Sequence, residues 1–396
     1  MALTGSLVIG PDRNGRVVTV VDGLVAATAP VGLPVLACPD GMIEPGAVCA
    51  HTHIYSGLAS YGMPSPDPPP QTFLQILERV WWRLDRAIDT GILRAAARDY
   101  AGRALLAGTT TLIDHHESPC LIEGSLALLA ETCSEIGIRT LLCYGATERN
   151  FGQPEARRGL AECRAVEPSG LVRGLVGLHA SFTVSDDTIR EAGDLAREQG
   201  TVLHVHVAED QADIDDARRR GSPGPLERLT ALGAIVPGSI LAHGVHLTTR
   251  QVRVASAAGS WFVHNPRSNE GNRVGYAGTL AAADRVALGT DGWDADMAVE
   301  QAALVRLADQ HGDRSVGGRL AGGHALVAER FGAATQPLTA GALGDVVVRQ
   351  QGKVSHVVVG GRLVVKDGAL LTADAESIAA SAQAEAARLW SRMADL

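Results

Sequence analysis

The sequence has almost no lysine, few aromatic residues and no closely paired cysteines. Only two of its 35 basic residues are lysines, Lys353 and Lys366, and aromatic residues make up 4% of the 396 positions. The six cysteines are scattered without CxxC spacing. This distribution gives no indication of a disulfide scaffold or of a cysteine-based zinc cluster.

Long apolar runs and an excess of positive charge are also missing. No uncharged apolar run reaches the roughly 18 residues of a transmembrane helix, and the first residues do not resemble a secretory signal. The formal net charge of −9 argues against non-specific binding to nucleic acid, which needs a basic surface. The hydrophobic content of 46% excludes wholesale disorder. We therefore expect a cytoplasmic protein with neither nucleic acid nor a membrane as its partner.

Short apolar runs rich in Val, Ile and Leu alternate with stretches of helical periodicity in the middle of the chain. The runs cover residues 48–53, 110–115, 139–145, 175–180, 201–208, 239–244, 260–265 and 286–291. Eight such strand–helix units over about 250 residues fit a parallel (β/α)8 barrel of the TIM type, in the α/β class. An open doubly wound sheet is the alternative. Ten of the 13 histidines lie in or just after these runs. Their spread favours the barrel, because barrel enzymes build their sites from the ends of several strands.

The two ends of the chain differ from this middle part. Residues 1–47 contain short β-like pieces, and residues 336–373 contain apolar runs around Gly360-Gly361, which is a hairpin signal. We expect both segments to form one small composite β-sandwich domain beside a barrel domain of residues 48–335. Residues 374–396 have helical periodicity and are expected to pack on the barrel as a terminal helix. The proline-rich residues 64–70 form either a stiff lid or a surface linker.

Candidate metal ligands stand at the ends of the first, fifth and eighth runs. His51 and His53 are two residues apart, so strand alternation places both imidazoles on one face. His206 ends the fifth run, and Asp291 ends the eighth, which is next to the first in a closed barrel. Three imidazoles and one carboxylate, with a water in the open position, suit a catalytic zinc or ferrous site. Taken singly, each of these residues is also explained as a structural residue at a strand end or turn.

The chain resembles the amidohydrolase superfamily in five motifs: PGAVCAHTH, HVHVAE, LAHG, HNPRSN and LGTDG. The resemblance is to the branch of the deaminases of cytosine, guanine and S-adenosylhomocysteine and of the triazine hydrolases. It extends over essentially the whole chain, and residues 45–120 are most similar to the aminohydrolases called SsnA. The metal ligands that it implies are His51, His53, His206 and Asp291. It also implies that Glu209 and His243 are the acid–base pair around the bound water and that His179 contacts the substrate.

The scarcity of lysine bears on the number of metal ions. Relatives with two metals hold them with a carbamylated lysine on the fourth strand, and this chain has no lysine before Lys353. We therefore expect one divalent ion, with zinc preferred and ferrous iron as the alternative. Such an ion lowers the pKa of its water towards about 7. Asp291 can take up the proton of that water, His243 can orient the nucleophile, and Glu209 can protonate the ring nitrogen and the departing amine.

The sequence thus predicts a metal-dependent aminohydrolase that releases ammonia from an N-heterocycle or from an amidine- or guanidine-like small molecule. Ring-opening hydrolysis of a cyclic amide and displacement of chloride are alternatives at the same site, and a non-catalytic relative is a third. The resemblance also indicates a homodimer.

Six residues are predicted to contact the substrate: Trp82, His115, His116, Glu117, His179 and Asn265. Core packing is the alternative role for Trp82 and for its neighbour Trp81. Adjacent helical positions diverge by about 100°, so at most one of the two tryptophans is expected to face the substrate.

Overall fold

The chain begins with a small mixed sheet. The computed structural model describes residues 5–396. Strands in the spatial order β3-β2-β1-β4 form this sheet, and their bounds are β1 (Leu7–Ile9), β2 (Val18–Val21), β3 (Leu24–Ala26) and β4 (Val35–Leu36). β1 runs antiparallel to β2 and parallel to β4. The next strand, β5 (Met42–Pro45), belongs to a different sheet.

Eight parallel strands close into a barrel. They are β6 (Ala47–Thr52), β7 (Thr109–His116), β8 (Arg139–Ala146), β10 (Val176–Ala180), β11 (Leu203–Val207), β12 (Ile240–His243), β13 (Trp261–His264) and β14 (Val286–Leu288), while the short β9 (Val172–Gly174) pairs with β8 beside this path. Their spatial order follows the chain. A parallel bridge between Thr52 and Asp291 joins the last strand to the first. The predicted barrel is confirmed, and the open sheet is wrong.

Helices cover the outside of the barrel. The α-helices are α1 (Phe73–Ile76), α2 (Trp82–Ala87), α3 (Thr90–Ala107), α4 (Ser125–Ile136), α5 (Gln153–Arg164), α6 (Asp186–Glu198), α7 (Gln211–Arg219), α8 (Pro225–Ala231), α9 (Thr249–Ala257), α10 (Pro266–Gly271), α11 (Met297–His311), α12 (Arg319–Phe331) and α13 (Ala375–Ala394). A capping box of Thr248 and Gln251 starts α9. Within residues 5–396, none of the helices is long and apolar enough to cross a membrane.

The last third of the chain returns to its beginning. Strands β15 (Val346–Gln350), β16 (Lys353–Val359), β17 (Arg362–Lys366) and β18 (Ala369–Leu370) form an antiparallel sheet with β5. β16 and β17 pair on either side of Gly360-Gly361, as the hairpin signal predicts. Apolar side chains of both small sheets form one core, to which Ile9, Val20, Val346 and Val358 contribute. The expected β-sandwich from both chain ends is confirmed.

The terminal helix α13 lies against α2 and α3. The Trp390 indole Nε1–H donates to the Tyr61 carbonyl at 3.0 Å, and the Arg83 guanidinium donates to the Met393 carbonyl at 2.7 Å. Because Tyr61 and Arg83 lie between the first barrel strand and α3, these bonds attach the end of the chain to the part of the barrel that carries the first histidines.

A buried ion pair joins the antiparallel sheet to the barrel. Arg139, at the start of β8, makes a two-pronged contact with Asp345, with Nε–Oδ2 and Nη2–Oδ1 distances of 2.7 and 2.8 Å. Its side chain is 1% exposed and stacks on the Phe331 ring. Asp345 also accepts the Gly360 N–H of the hairpin at 2.7 Å. One carboxylate therefore connects the hairpin to the barrel floor.

We expect Asp345→Ala to lower the free energy of unfolding by about 3–5 kcal/mol, because it leaves the Arg139 charge buried without a partner. Urea unfolding monitored by circular dichroism measures the change. The matched control is Asp187→Ala, since the Asp187 carboxylate pairs with Arg190 in solvent and should cost less than about 1 kcal/mol. Equal effects of the two variants would contradict a structural role for the buried pair.

Candidate active site

The carboxyl ends of four barrel strands bring histidines and a carboxylate to one point. His51 lies in β6, and His53 follows that strand on the same face. His206 lies near the end of β11, and His243 ends β12. Asp291 follows β14 and is held beside β6 by barrel closure, where its carbonyl accepts the His53 N–H at 3.1 Å. All of these residues are buried.

The four predicted metal ligands are in direct contact. The Asp291 Oδ1 atom lies 2.8 Å from His53 Nε2 and 3.2 Å from His51 Nε2. The His53 and His206 Nε2 atoms are 3.2 Å apart. Residues separated by up to 240 positions in the sequence thus present their ligand atoms to one small volume.

Backbone carbonyls orient two of the imidazoles through their Nδ1 atoms, while His51 Nδ1 lies 2.9 Å from His204 Nε2. His53 Nδ1 lies 2.6 Å from the His115 carbonyl, and His206 Nδ1 lies 2.7 Å from the His179 carbonyl. Because a carbonyl oxygen can only accept, both Nδ1 atoms carry a hydrogen, and in the neutral ring each Nε2 atom has a lone pair that can bind either a proton or a metal ion. In histidine metal sites, the ring nitrogen that does not bind the metal usually donates a hydrogen bond of this kind.

This arrangement fits a cation. Two lone pairs that face each other at 3.2 Å repel unless a positive charge lies between them. Burial lowers the pKa of His53, but the bond to Asp291 outweighs burial and raises this pKa to about 9. A proton or a divalent ion would satisfy this negative centre, and burial favours the ion by holding the pKa of His51 at about 3 and that of His206 well below its usual range.

Neighbouring histidines offer other ligand combinations. Ligand atoms of His51, His206, His243 and Asp291 lie within 4.8 Å of one another, and so do those of Glu117, His179 and His206. His206 has one free lone pair, since its Nδ1 atom is used by the His179 carbonyl, so these groupings describe a single site. The first grouping differs from the predicted ligand set only by having His243 in place of His53.

Glu209 lies beside this centre and carries a carboxyl group suited to proton transfer. Its Oε2 atom is 3.6 Å from His243 Nε2, and its Oε1 atom accepts from the Asn272 amide at 3.2 Å. Burial raises the pKa of Glu209 to about 7, the Asp291 carboxylate adds to this rise and His243 opposes it. A carboxyl group near neutrality can both take and give a proton at physiological pH. Asn272 was not predicted, because nothing in its local sequence sets it apart.

His243 is held in a backbone conformation that few residues adopt. Its φ angle is +72°, and Asp291 has a φ of +55°. Such left-handed backbone is uncommon for residues other than glycine and concentrates at functional sites. His243 Nδ1 lies 2.8 Å from the Asn269 side-chain oxygen, and its buried Nε2 atom has no hydrogen-bond partner. The free nitrogen therefore faces the metal ligands and Glu209.

A cavity of about 660 Å³, including its mouth, opens above the candidate metal ligands. Three predicted substrate contacts line it: His179, Glu117 and Trp82. His179 Nδ1 bonds the Thr183 hydroxyl at 3.0 Å, and burial lowers the pKa of His179 to about 3, so this ring is neutral. The cavity thus combines a neutral imidazole with a carboxylate and an aromatic wall.

The other three predicted contacts do not line the cavity. His116 bonds the Ser118 hydroxyl at 2.7 Å on the outer face of β7, because alternation turns it away from the barrel axis. His115 points inward but lies deeper, with its Nε2 atom 3.0 Å from the Leu178 carbonyl. Asn265 is packed against Gly289, where a Cβ would lie 2.6 Å from its side-chain oxygen. The neighbouring Ser268 instead donates to Asp291 Oδ2.

Both Trp81 and Trp82 line the cavity, and Trp81 also packs against the hydrophobic core. The helical segment contains a π-helical turn, Leu77–Trp81, which changes the angle between successive side chains. The proline-rich residues 64–70 do not line the cavity themselves. They lead into α1, whose Phe73 side chain does, and the Arg273 guanidinium donates to the Pro70 carbonyl at 2.9 Å.

The chain is similar to known deaminases. A model of the amidohydrolase family matches residues 42–321. A 5'-deoxyadenosine deaminase from Methanopyrus kandleri is 27% identical over 380 residues, which cover 85% of this chain and 84% of that protein. An 8-oxoguanine deaminase from Pseudomonas aeruginosa is 28% identical over 271 residues, which cover 63% of this chain and 60% of that protein.

Solved structures share the whole fold. An adenosine deaminase from Xanthomonas campestris with bound zinc superimposes with a TM-score of 0.79 at 20% identity, covering 96% of this chain and 97% of that one. The zinc complex of the atrazine chlorohydrolase TrzN from Arthrobacter aurescens superimposes with a TM-score of 0.76 at 20% identity, covering 97% of this chain and 99% of that one.

We propose that His53 is a metal ligand and that His243 is not, and metal content will separate the two. His53→Ala should lose the ion, because the cluster then lacks one of its three imidazole ligands. His243→Ala should retain about one ion per chain. Mass spectrometry of the metal in protein loaded with zinc and then gel-filtered measures both, with exposed His311→Ala as the matched control. Loss of the ion in His243→Ala but not in His53→Ala would assign the ligands the other way.

Proposed function

The chain belongs to the amidohydrolase family, and from that premise we propose that it is a metal-dependent aminohydrolase. Its substrate in this proposal is an N-heterocycle or an amidine- or guanidine-like small molecule, from which it releases ammonia. The observation that carries the proposal is the convergence of His51, His53, His206 and Asp291 below a cavity lined by Glu209. The two relatives named above are deaminases, which agrees with it.

A divalent ion held by His51, His53, His206 and Asp291 would supply a water that is nucleophilic at neutral pH. Asp291 takes the proton of the attacking water, with Ser268 holding its second oxygen. His243 orients the water by accepting a hydrogen bond at its free Nε2 atom, and with a proton on that atom it stabilises the negative charge that develops on the oxygen.

Glu209 moves the proton in this proposal. Its carboxyl group faces the cavity, and a pKa of about 7 lets it protonate a substrate nitrogen and then the departing amine. Asn272 holds one of its oxygens in place, which leaves the other free towards the substrate. His179 contacts the substrate from the opposite wall as a neutral ring.

The proposal also includes zinc as the ion, a homodimer as the assembly and the cytoplasm as the location. Zinc is supported by the nitrogen and oxygen donor set and by the zinc in two structural neighbours. The homodimer rests on the resemblance seen in the sequence. From the sequence we also propose three units. They are one composite domain of residues 1–47 and 336–373, a barrel domain of residues 48–335, and a terminal helical segment of residues 374–396.

A substrate screen tests the reaction. The zinc-loaded protein is incubated with purines, pterins, pyrimidines and guanidino compounds, and ammonia, new carboxylate and halide are measured in each. We expect ammonia without new carboxylate or halide for at least one compound. Carboxylate would instead indicate ring-opening amide hydrolysis, halide would indicate chloride displacement, and no product from the metal-loaded protein would favour a non-catalytic relative.

We expect Glu209→Gln to keep the metal and to lower turnover by about 10²–10⁴-fold, because the amide cannot transfer the proton. Turnover and metal content are measured on the same preparation. Glu198→Gln removes the same group from an exposed ion pair with Arg164 and serves as the matched control. Unchanged turnover in Glu209→Gln would remove Glu209 from the mechanism.

A further inference from the structure

We propose that the cavity selects substrates that carry a positive charge on a planar nitrogenous group, such as an amidinium or guanidinium, and that Glu117 determines this preference. This inference deepens the proposed function, because it concerns the same cavity and rests on it. Hydrolysis of an amidinium forms a C–O bond, breaks one C–N bond and releases ammonium, so the substrate class suits the proposed reaction.

The charged groups on the cavity wall are all acidic. Carboxylates of five residues line it, namely Glu117, Glu209, Asp210, Asp213 and Asp291. No arginine or lysine within residues 5–396 lines the same cavity. A divalent ion would balance Asp291 and a deprotonated water. Burial raises the pKa values of Glu209 and Asp213 to about 7, so Glu117 and Asp210 are the carboxylates that set the charge a substrate meets. An anionic substrate is disfavoured by this wall, and a cationic one is favoured.

Glu117 is buried, and it keeps its negative charge because it forms an ion pair with Arg149. The Arg149 Nη2 atom lies 2.8 Å from Glu117 Oε2 and 2.7 Å from Asp85 Oδ2. One guanidinium therefore serves two carboxylates, and the three side chains together carry an excess negative charge. Burial alone would raise the pKa of Glu117, but the contact with the Arg149 guanidinium opposes burial, and this pKa lies below its usual range.

Two carboxylate oxygen atoms of the cavity wall have no hydrogen-bond donor, or only a distant one. Asp213 is 3% exposed, and its Oδ2 atom accepts the Ala208 N–H at 2.8 Å. Its Oδ1 atom is buried without a partner. The Oε1 atom of Glu117 has only a 3.5 Å contact with His115 Nδ1. An amidinium or guanidinium carries several N–H donors and no acceptor, which matches walls that offer oxygen acceptors.

The remaining wall is aromatic and suits a flat cation. Phe73, Trp81, Trp82 and Phe182 line the cavity. The Trp82 ring already stacks on the Arg149 guanidinium at 4.7 Å, on the side where Arg149 reaches Glu117. Aromatic faces attract cations and accept planar groups. Arg149 covers one face of Trp82, so a flat substrate packs on the other aromatic side chains of the wall while Glu117 recognises its charge.

The test compares benzamidinium with benzamide, two flat molecules of nearly the same shape that differ in charge. Calorimetry with the zinc-loaded wild-type protein at low salt should show benzamidinium binding at least about tenfold more tightly, since charged hydrogen bonds to Glu117 are lost in benzamide. The preference should shrink as salt is added. Equal or tighter binding of benzamide, or no binding of either probe, would overturn the inference.

The Glu117→Gln variant distinguishes a role of Glu117 in selecting a charged substrate from a role in supporting the fold. It should weaken benzamidinium binding by about tenfold or more and leave benzamide binding within about twofold. Glu123→Gln, which removes a carboxylate from an exposed pair with Arg158, is the matched control and should change neither. An equal loss for both probes in Glu117→Gln would mean that Glu117 only supports the fold, and no loss would exclude it. A failed ammonia screen leaves these binding results intact, so the two proposals fail separately.

Discussion

The hydrogen bond behind each imidazole is the interaction on which the candidate site depends. His53 is fixed by the His115 carbonyl of β7, and His206 is fixed by the His179 carbonyl of β10. Both acceptors belong to the backbone of the neighbouring barrel strand, so the register of the sheet itself sets the direction of the lone pairs. A slip of one residue would turn every one of these side chains to the other face. The metal site and the barrel are therefore specified by the same pairing.

Closure of the barrel brings the Asp291 carboxylate to the histidines. Asp291 reaches His51 and His53 only because β14 lies next to β6, where the backbone of Thr52 and Asp291 forms a bridge. The left-handed conformation of Asp291 is unfavourable on its own and is held by this closure. Ser268 then occupies the second oxygen of Asp291, which leaves the first oxygen to the imidazoles. Pairing with the neighbouring strand thus imposes on Asp291 a backbone conformation that its local sequence would not favour.

The barrel and the positions of the candidate metal ligands could be predicted from the sequence, because both follow from the periodicity of strands. The two-residue spacing of His51 and His53, and the position of Asp291 at the end of the last strand, need only strand alternation and a closed ring. The cavity wall could not be predicted in the same way. Trp81 enters it through a π-helical turn, and Asn272 reaches Glu209 from a different loop. His116 lies away from the cavity, because alternation along a strand places neighbouring histidines on opposite faces. The sequence does not show which of these faces is inside the barrel.

Charge connects the metal site to the substrate. Burial keeps His51 and His206 neutral, so the ligands can hold a cation without repelling it. The same burial would neutralise Glu117, but Arg149 is shared with Asp85 and leaves a negative charge uncompensated. A cationic substrate completes that cluster, whereas the neutral amide formed from an amidinium does not. Hydrolysis therefore transfers the positive charge from the planar group to the ammonium ion, so the neutral amide loses the interaction by which the substrate is held.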